Sequence, residues 1–205
     1  MPTSFSDSLS VRKLLIIMMM RPLLLASLLS ATLIIPAPGE DLPGAMTMHR
    51  LQAGEPDGSG WMLAESTEGG FSVRLPLKFN DFTMAESDPK SPAMRLYIVG
   101  TKSEEGIKFM ATRVVYRKGA ESAKDFFSRA ERGADLKPER ITPQKVGERR
   151  AVDMVLKRTS DIAYQRTVLL EEDLLVMVVE SPRRHNATAH HLATQFFDSL
   201  VVSVK

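Results

Sequence analysis

Three closely spaced apolar segments near the C-terminus constrain the fold more than any other feature of this chain. The segments AVDMVLKR, IAYQRTVLLE and DLLVMVVES follow one another between residues 151 and 181, joined by short polar links. Strands joined by such short links pair antiparallel, because a parallel pair needs a crossover connection of about a dozen residues or more. The third segment contains LLVMVV, which is apolar on both faces and predicts a central strand covered on both sides. We therefore predict an antiparallel meander.

Three further strands are predicted upstream of the meander. Apolar and polar side chains alternate over residues 71–75, and Pro76 ends the alternation, a pattern typical of a half-buried strand. Residues 94–103 and 107–119 predict two more strands, with the sequence Glu-Glu-Gly as the turn between them. Together with the meander, these segments predict a sheet of about six strands.

Two segments have the spacing of amphipathic helices rather than strands. Apolar residues recur every three or four positions over residues 121–135, where Ser122 is a favoured N-cap and Gly133 suits the C-terminal end. A second stripe with the same spacing occupies residues 189–200, and Asn186 is the expected N-cap of that helix. We predict an α+β fold in which an antiparallel sheet of about six strands packs with two principal helices.

The first 39 residues have the pattern of a secretory signal peptide. Arg12 and Lys13 precede an apolar run over residues 14–35, and small residues then lead to a cleavage site after Gly39. Residues 40–59 are rich in Gly, Pro and small polar residues and predict a flexible tether. A single α+β domain is then expected over residues 60–205.

An uncleaved membrane anchor is the alternative reading of this leader, because residues 14–35 are long enough to span a bilayer. Arg21 opposes it, since an Arg near a helix centre costs roughly 2.5–3.5 kcal/mol on insertion. Pro22 adds a helix break, which leaves residues 23–35 as a run better suited to a signal peptide. A compact leader would also result from a start at Met18, Met19 or Met20.

The charge and the cysteine count exclude several functions. The formal net charge is +2, but the leader contributes Arg12, Lys13 and Arg21 against Asp7, and without it basic and acidic residues balance. A neutral mature chain has no global field that favours nucleic acid. The chain has no cysteine, which excludes thiol catalysis, Cys-ligated zinc, iron–sulfur clusters and disulfides.

Three of the four histidines, His185, His190 and His191, lie close together near the C-terminus. Two helical histidines that share a metal are normally three or four positions apart, because only then do their rings converge. His190 and His191 are neighbours, and no acidic residue occurs over residues 182–195 to complete a site. We predict that these histidines are solvated side chains on the outer face of a core-packing helix.

No other segment carries a recognisable catalytic motif. The sequence has no G-x-S-x-G, phosphate-binding loop or G-x-G-x-x-G pattern. Residues 171–173, Glu-Glu-Asp, lack the ligand spacing of a calcium loop and are expected to form a solvated hairpin turn. Trp61 and Met62 are expected to pack the start of the domain onto its core. We assign no catalytic, cofactor-binding or metal-binding residue and expect no cofactor.

The mature domain resembles the PsbP-like superfamily of α/β/α sandwich domains over about residues 70–204. The resemblance is carried by GGFSVRLP at residues 69–76, by the helix containing AKDFF, and by ATQFFDSLVV, a closing helix followed by a short strand. It implies an exported accessory, binding or assembly protein, and it transfers no functional residue.

We therefore predict an exported, non-catalytic accessory or protein-binding domain located in the periplasm or outside the cell. Its expected partner is a protein and not a nucleic acid, and membrane association is expected only if the leader is retained. Two alternatives from other classes stay open. One is a hydrolase or metal-dependent enzyme whose site is assembled from distant residues, and the other is a carrier of a small ligand or lipid.

Overall fold

The computed structural model describes residues 46–86, 91–119 and 121–203 of the chain. The predicted leader lies outside these residues. The described strands, in chain order, are β1 (Met46–Ala53), β2 (Met62–Glu65), β3 (Phe71–Leu75), β4 (Phe79–Ala85), β5 (Ala93–Lys102), β6 (Lys108–Tyr116), β7 (Arg140–Val146), β8 (Arg149–Lys157), β9 (Asp161–Leu169), β10 (Leu174–Pro182) and β11 (Val201–Val202).

These strands form two antiparallel sheets. The large sheet has eight strands in the order β1-β4-β5-β6-β10-β9-β8-β7, and the small sheet has three in the order β11-β3-β2. The predicted meander is confirmed, because β8 pairs with β9 and β9 with β10. The predicted central strand is also confirmed: β10 lies between β6 and β9, and most of its side chains are buried.

The expected number of about six strands is wrong. The six predicted segments do form strands, but β1, β2, β4 and β7 were not predicted and belong to the sheets as well. β4 has the sequence FNDFTMA, in which polar residues interrupt the apolar ones although the first five side chains are buried. β7 has the sequence RITPQKV, with Pro143 in its middle, and pairs only with β8 at the end of the large sheet. A proline is tolerated there because an edge strand has one side without ladder hydrogen bonds.

The flexible tether predicted over residues 40–59 is wrong for residues 46–53. These residues form β1, which pairs antiparallel with β4 from Met46 opposite Met84 to Ala53 opposite Phe79. The Gly and Pro residues that indicated a linker lie on either side of this segment, whose own sequence, MTMHRLQA, contains neither residue type and forms an edge strand with a paired neighbour on one side only. The described fold therefore begins earlier than the expected start near Trp61.

Both predicted helices are present. The helix α1 comprises Ala123–Glu131, and the Ser122 side chain caps it by accepting a hydrogen bond from the Asp125 backbone N–H, as predicted. The helix α2 comprises Asn186–Asp198 and follows a short 3₁₀ turn, Arg183–His185. The capping prediction for Asn186 is wrong, because the N-cap position is His185 and the Asn186 side chain makes another contact, described below.

The helices pack on opposite faces of the large sheet. The α1 side chains Phe126 and Phe127 contact the face that carries Val152 and Val176. On the other face, α2 and the small sheet pack over a larger core, which includes Phe109, Met177 and the α2 residues Phe196 and Phe197. The rings of Phe109 and Phe196 meet edge to face, with centroids 5.7 Å apart. The fold therefore has three layers in an α/β/α arrangement: α1, the large sheet, and a layer formed by α2 together with the small sheet.

Candidate functional site

A groove lies where α2 stops covering the large sheet. Because α2 packs mainly on β10 and β9, the strands β8 and β7 extend past it, so α2 forms a wall and β7 and β8 form the floor. We call this the α2 groove. It has two lobes of about 520 Å³ each, and both are lined by Arg140, Val155, Tyr164 and His190.

The two lobes follow the length of α2. The lobe at the start of the helix is lined by Asn186 and Ala187 together with Glu139 and Lys157. The lobe at the end of the helix has a more polar lining, which includes Thr142, Gln144, Asp153, Arg166, Thr194 and Asp198. The helix residues that line the groove span its whole length, about 18 Å at 1.5 Å per residue.

Arg166 organises one lobe of the groove. It lies on β9 opposite Asp153 of β8, and its Nε and Nη2 donate to the two carboxylate oxygens of Asp153 at 2.7 and 2.9 Å. Its Nη1 donates to Asp198 at 3.2 Å, and its guanidinium lies 5.1 Å from the centroid of the Phe197 ring. A planar guanidinium with bidentate and stacking contacts has little freedom to move, so this end of the floor is preorganised.

Tyr164 occupies the centre of the groove, between the two lobes. Its hydroxyl donates to Oδ1 of Asn186 at 2.5 Å, which ties the first residue of α2 to β9. The His190 ring lies beside the Tyr164 ring, with centroids 5.3 Å apart. Burial raises the pKa of Tyr164, and the positive charge of Arg140 opposes that rise. The tyrosine is therefore a neutral hydrogen-bond donor near neutral pH.

Most of the charged side chains in the groove are paired with one another. Lys157 donates to Glu139 in one lobe, and Arg166 holds Asp153 and Asp198 in the other. Arg140 is exposed on the floor, and no ion pair between described residues includes it. The positive charge of Arg140 is thus available to a ligand.

The three clustered histidines have different surroundings. His185 lies in the 3₁₀ turn, where its Nε2 accepts a hydrogen bond from Nε of Arg184 at 3.0 Å. His191 is exposed on α2, as predicted, but His190 faces the α2 groove and contacts Tyr164. Over residues 46–86, 91–119 and 121–203, no group of three His, Asp or Glu side chains is placed to hold a metal ion. That these histidines bind no metal stays a prediction.

The acidic segment at residues 171–173 forms the turn between β9 and β10, as predicted, and Leu170 N–H donates to the Asp173 carbonyl at 3.0 Å. Glu171 and Glu172 are exposed, in keeping with a solvated turn. Asp173 is not solvated: it is buried and accepts from Arg113 of β6, with the closest approach at 2.7 Å. This carboxylate fastens the turn to the neighbouring strand.

The start of the domain also packs as predicted. Met62 is buried, and Trp61 is partly buried against the main core. Among the helices that the structure describes, none is both long and apolar enough to cross a bilayer.

The fold, but not the sequence, is similar to known proteins. No family model matches the chain, and no curated protein matches it. The solution structure of cyanobacterial PsbP (CyanoP) from Synechocystis sp. PCC 6803 is similar at 8% identity and a TM-score of 0.46, over 73% of this chain and 98% of that one. LpqN, involved in cell envelope biogenesis of Mycobacterium tuberculosis, is similar at 14% identity and a TM-score of 0.36, over 81% and 87% of the two chains. PsbP, whose fold the sequence resembles, is thus among the similar solved structures.

Sequence reasoning did not find the α2 groove. The residues that line it come from β7, β8, β9 and α2, which are adjacent only in the folded sheet. One signal was present: β9 carries Tyr164 and Arg166 on the same face as the apolar Val168, next to a strand whose first six residues are all apolar. Polar side chains on one face of an inner strand indicate that the helix layer leaves part of that face uncovered.

Proposed function

We propose that this chain is an exported, non-catalytic domain that binds a protein partner in the α2 groove. The observation that carries the proposal is the open groove itself, whose floor is preorganised by Arg166 while Arg140, Thr142, Gln144 and Thr194 remain exposed. Polar groups held on a rigid sheet and helix suit recognition, because little conformational freedom is lost on binding.

The chemistry of the groove supports binding over catalysis. Its carboxylates Asp153, Asp198 and Glu139 all pair with Arg166 or Lys157. Of its hydroxyls, that of Thr194 donates to the backbone carbonyl of His190 at 3.2 Å, and that of Tyr164 donates to Oδ1 of Asn186 at 2.5 Å. Nucleophilic catalysis needs a hydroxyl or thiol in hydrogen-bond reach of a base that is itself oriented by a third group. The side chains that line the two lobes do not have that arrangement.

The size of the apolar cavity beside α1 does not support a lipid carrier. This cavity is lined by Phe126, Ala130, Leu136 and Met154 and has a volume of about 10 Å³. Such a volume is roughly that of one water molecule, whereas an acyl chain needs several hundred Å³.

Capture of the partner with matched variants tests the proposal. Thr194→Trp fills the groove, and Gln195→Trp places the same side chain on an exposed position of α2 outside the groove lining. We expect the full chain and Gln195→Trp to retain the same protein from the native extract, and Thr194→Trp to lose it. Retention of that protein by Thr194→Trp would place the binding surface elsewhere and contradict the proposal.

Export is part of the proposal and rests on the leader predicted over residues 1–39. Fractionation of the source cells, followed by N-terminal sequencing of the mature protein, is the direct test. We expect an extracytoplasmic protein that begins at Glu40, and a cytoplasmic protein with an intact leader would contradict export.

A further inference from the structure

The α2 groove has an unpaired positive charge at its centre, and this indicates the chemistry of its ligand. The charged side chains toward the two ends of the groove are held in internal pairs, Lys157 with Glu139 at one end and Arg166 with Asp153 and Asp198 at the other. Among the described residues that line the groove, Arg140 is the guanidinium without such a pair. An anionic group is the complement of this arrangement.

The position of Arg140 brings its charge to where the two lobes meet. It is the first residue of β7 and lies opposite Val155, whose side chain also lines both lobes. Tyr164 and His190, whose rings lie side by side, line both lobes as well. An anion here would accept charge-assisted hydrogen bonds from Arg140, in a planar geometry that suits a carboxylate.

The length of the groove favours an extended chain over a compact small molecule. A groove of about 18 Å corresponds to roughly five or six residues of extended peptide at about 3.3 Å per residue. Thr142 and Gln144 on the floor and Thr194 on the wall can donate to and accept from the backbone of such a peptide. The groove therefore matches a linear segment that carries an acidic side chain.

The free edge of β7 does not offer an equivalent site. Pro143 lies in the middle of that strand and has no N–H to donate to an added strand. A partner that extended the large sheet would lose a hydrogen bond at this position. The segment is therefore expected to lie across the face of β7 and β8, beside α2.

We propose that the α2 groove binds an extended acidic segment of a protein partner, with one Asp or Glu carboxylate held on Arg140. This inference rests on the proposed function and specifies its ligand.

Selection of peptides from a random dodecapeptide phage library on the full chain tests the inference. We expect the selected peptides to be enriched in Asp or Glu at one position relative to the unselected library. Arg140→Gln should weaken binding of the best selected peptide about tenfold, the effect of losing a charge-assisted pair. Lys145→Gln is the matched control, because Lys145 is exposed on the same strand but outside the groove lining, and it should change affinity less than about twofold.

Three outcomes would overturn the inference: no selected peptide, selected peptides without acidic enrichment, or equal loss of affinity in both variants. The capture experiment with Thr194→Trp distinguishes failure of this inference from failure of the proposed function. If Thr194→Trp loses the native partner while Arg140→Gln retains it with unchanged affinity, the groove binds a partner but not through a carboxylate on Arg140.

Discussion

The hydroxyl of Tyr164 donates to Oδ1 of Asn186 at 2.5 Å, and this contact fixes the first residue of α2 to β9 of the large sheet. It replaces the capping role that the sequence suggested for Asn186. The same tyrosine ring stands beside His190, so the contact that anchors the helix also shapes the middle of the α2 groove. The side chain that anchors α2 therefore also lines both lobes of the proposed binding groove.

Removing the Tyr164 hydroxyl should destabilise the protein, whereas removing the Tyr116 hydroxyl should not. Tyr164→Phe loses the bond to Asn186, and we expect the free energy of unfolding to fall by about 1 kcal/mol. The Tyr116 hydroxyl is buried without a hydrogen-bond partner, so Tyr116→Phe should be neutral or stabilising by up to about 1 kcal/mol. Urea unfolding of the two variants measures both values. The reverse order of stabilities would contradict the hydrogen-bond assignments.

The stability of the protein should fall in alkaline solution. Burial raises the pKa of Tyr116 well above its ordinary value of 10.0, and burial shifts the pKa of Tyr164 in the same direction. The folded state therefore keeps these protons at a pH where the unfolded chain releases them. Their contribution is fully present below about pH 10 and is lost progressively as the pH rises above it. Urea unfolding between pH 8 and pH 11 measures the slope.

The Tyr116→Phe variant is the control for this pH dependence. Because it lacks the buried phenol, its free energy of unfolding should decrease less steeply above about pH 10 than that of the unmodified protein. An identical slope in both proteins would show that Tyr116 does not contribute to the alkaline loss of stability.

Loss of Arg166 should affect stability far more than loss of its exposed partner. Arg166→Ala leaves the half-buried Asp153 carboxylate without its bidentate donor and removes the contact with the Phe197 ring, so we expect a loss of about 2–3 kcal/mol. Asp198 is mostly exposed, and Asp198→Ala should change stability by no more than about 0.5 kcal/mol. Thermal and urea unfolding compare the two. Similar losses would mean that Arg166 does not act mainly through Asp153.

Replacement of the three clustered histidines by glutamine should change stability little and release no metal. His190 and His191 are exposed, and the hydrogen bond of His185 described above joins it to its neighbour in the chain, Arg184. We expect a change in unfolding free energy below about 1 kcal/mol. Elemental analysis of the native protein and of the variant provides the second measurement. Stoichiometric zinc in the native protein that the variant loses would show that a metal site is present.

The parts of the fold that were predictable are those with a regular local pattern. The alternation at Phe71–Leu75, the apolar run in Leu174–Pro182 and the stripe in Ala123–Glu131 each reflect the face that the element buries. The strand β4 has no regular alternation of apolar and polar residues, because it buries the polar Asp81. Oδ2 of the Asp81 carboxylate accepts hydrogen bonds from the Thr67 backbone N–H and hydroxyl, at 2.9 and 2.5 Å. The local pattern of hydrophobicity cannot predict that a polar residue is buried when its hydrogen-bond partner lies in a distant part of the sequence.

The candidate site was less predictable than the fold, for a geometric reason. In the sequence, His190 belongs to a cluster of histidines, but in the structure its ring contacts Tyr164, which lies in strand β9 of the meander. Arg140 lies in a segment that contains two prolines and for which the sequence predicts no strand or helix, although it is the first residue of the edge strand β7. The groove forms because α2 covers β10 and β9 but not β7, and that offset depends on the packing of the whole helix layer.

Site-specific photocrosslinking in the cells that naturally make the protein tests the central claim most directly. A photoreactive side chain is placed at Thr142 on the floor of the α2 groove and, as a control, at Lys124, which is exposed on α1 at the opposite face of the sheet. We expect a discrete crosslinked protein from Thr142, reduced when Arg140→Gln is combined with it, and no such product from Lys124. A crosslink from Lys124 with none from Thr142 would contradict the assignment of the α2 groove as the binding surface.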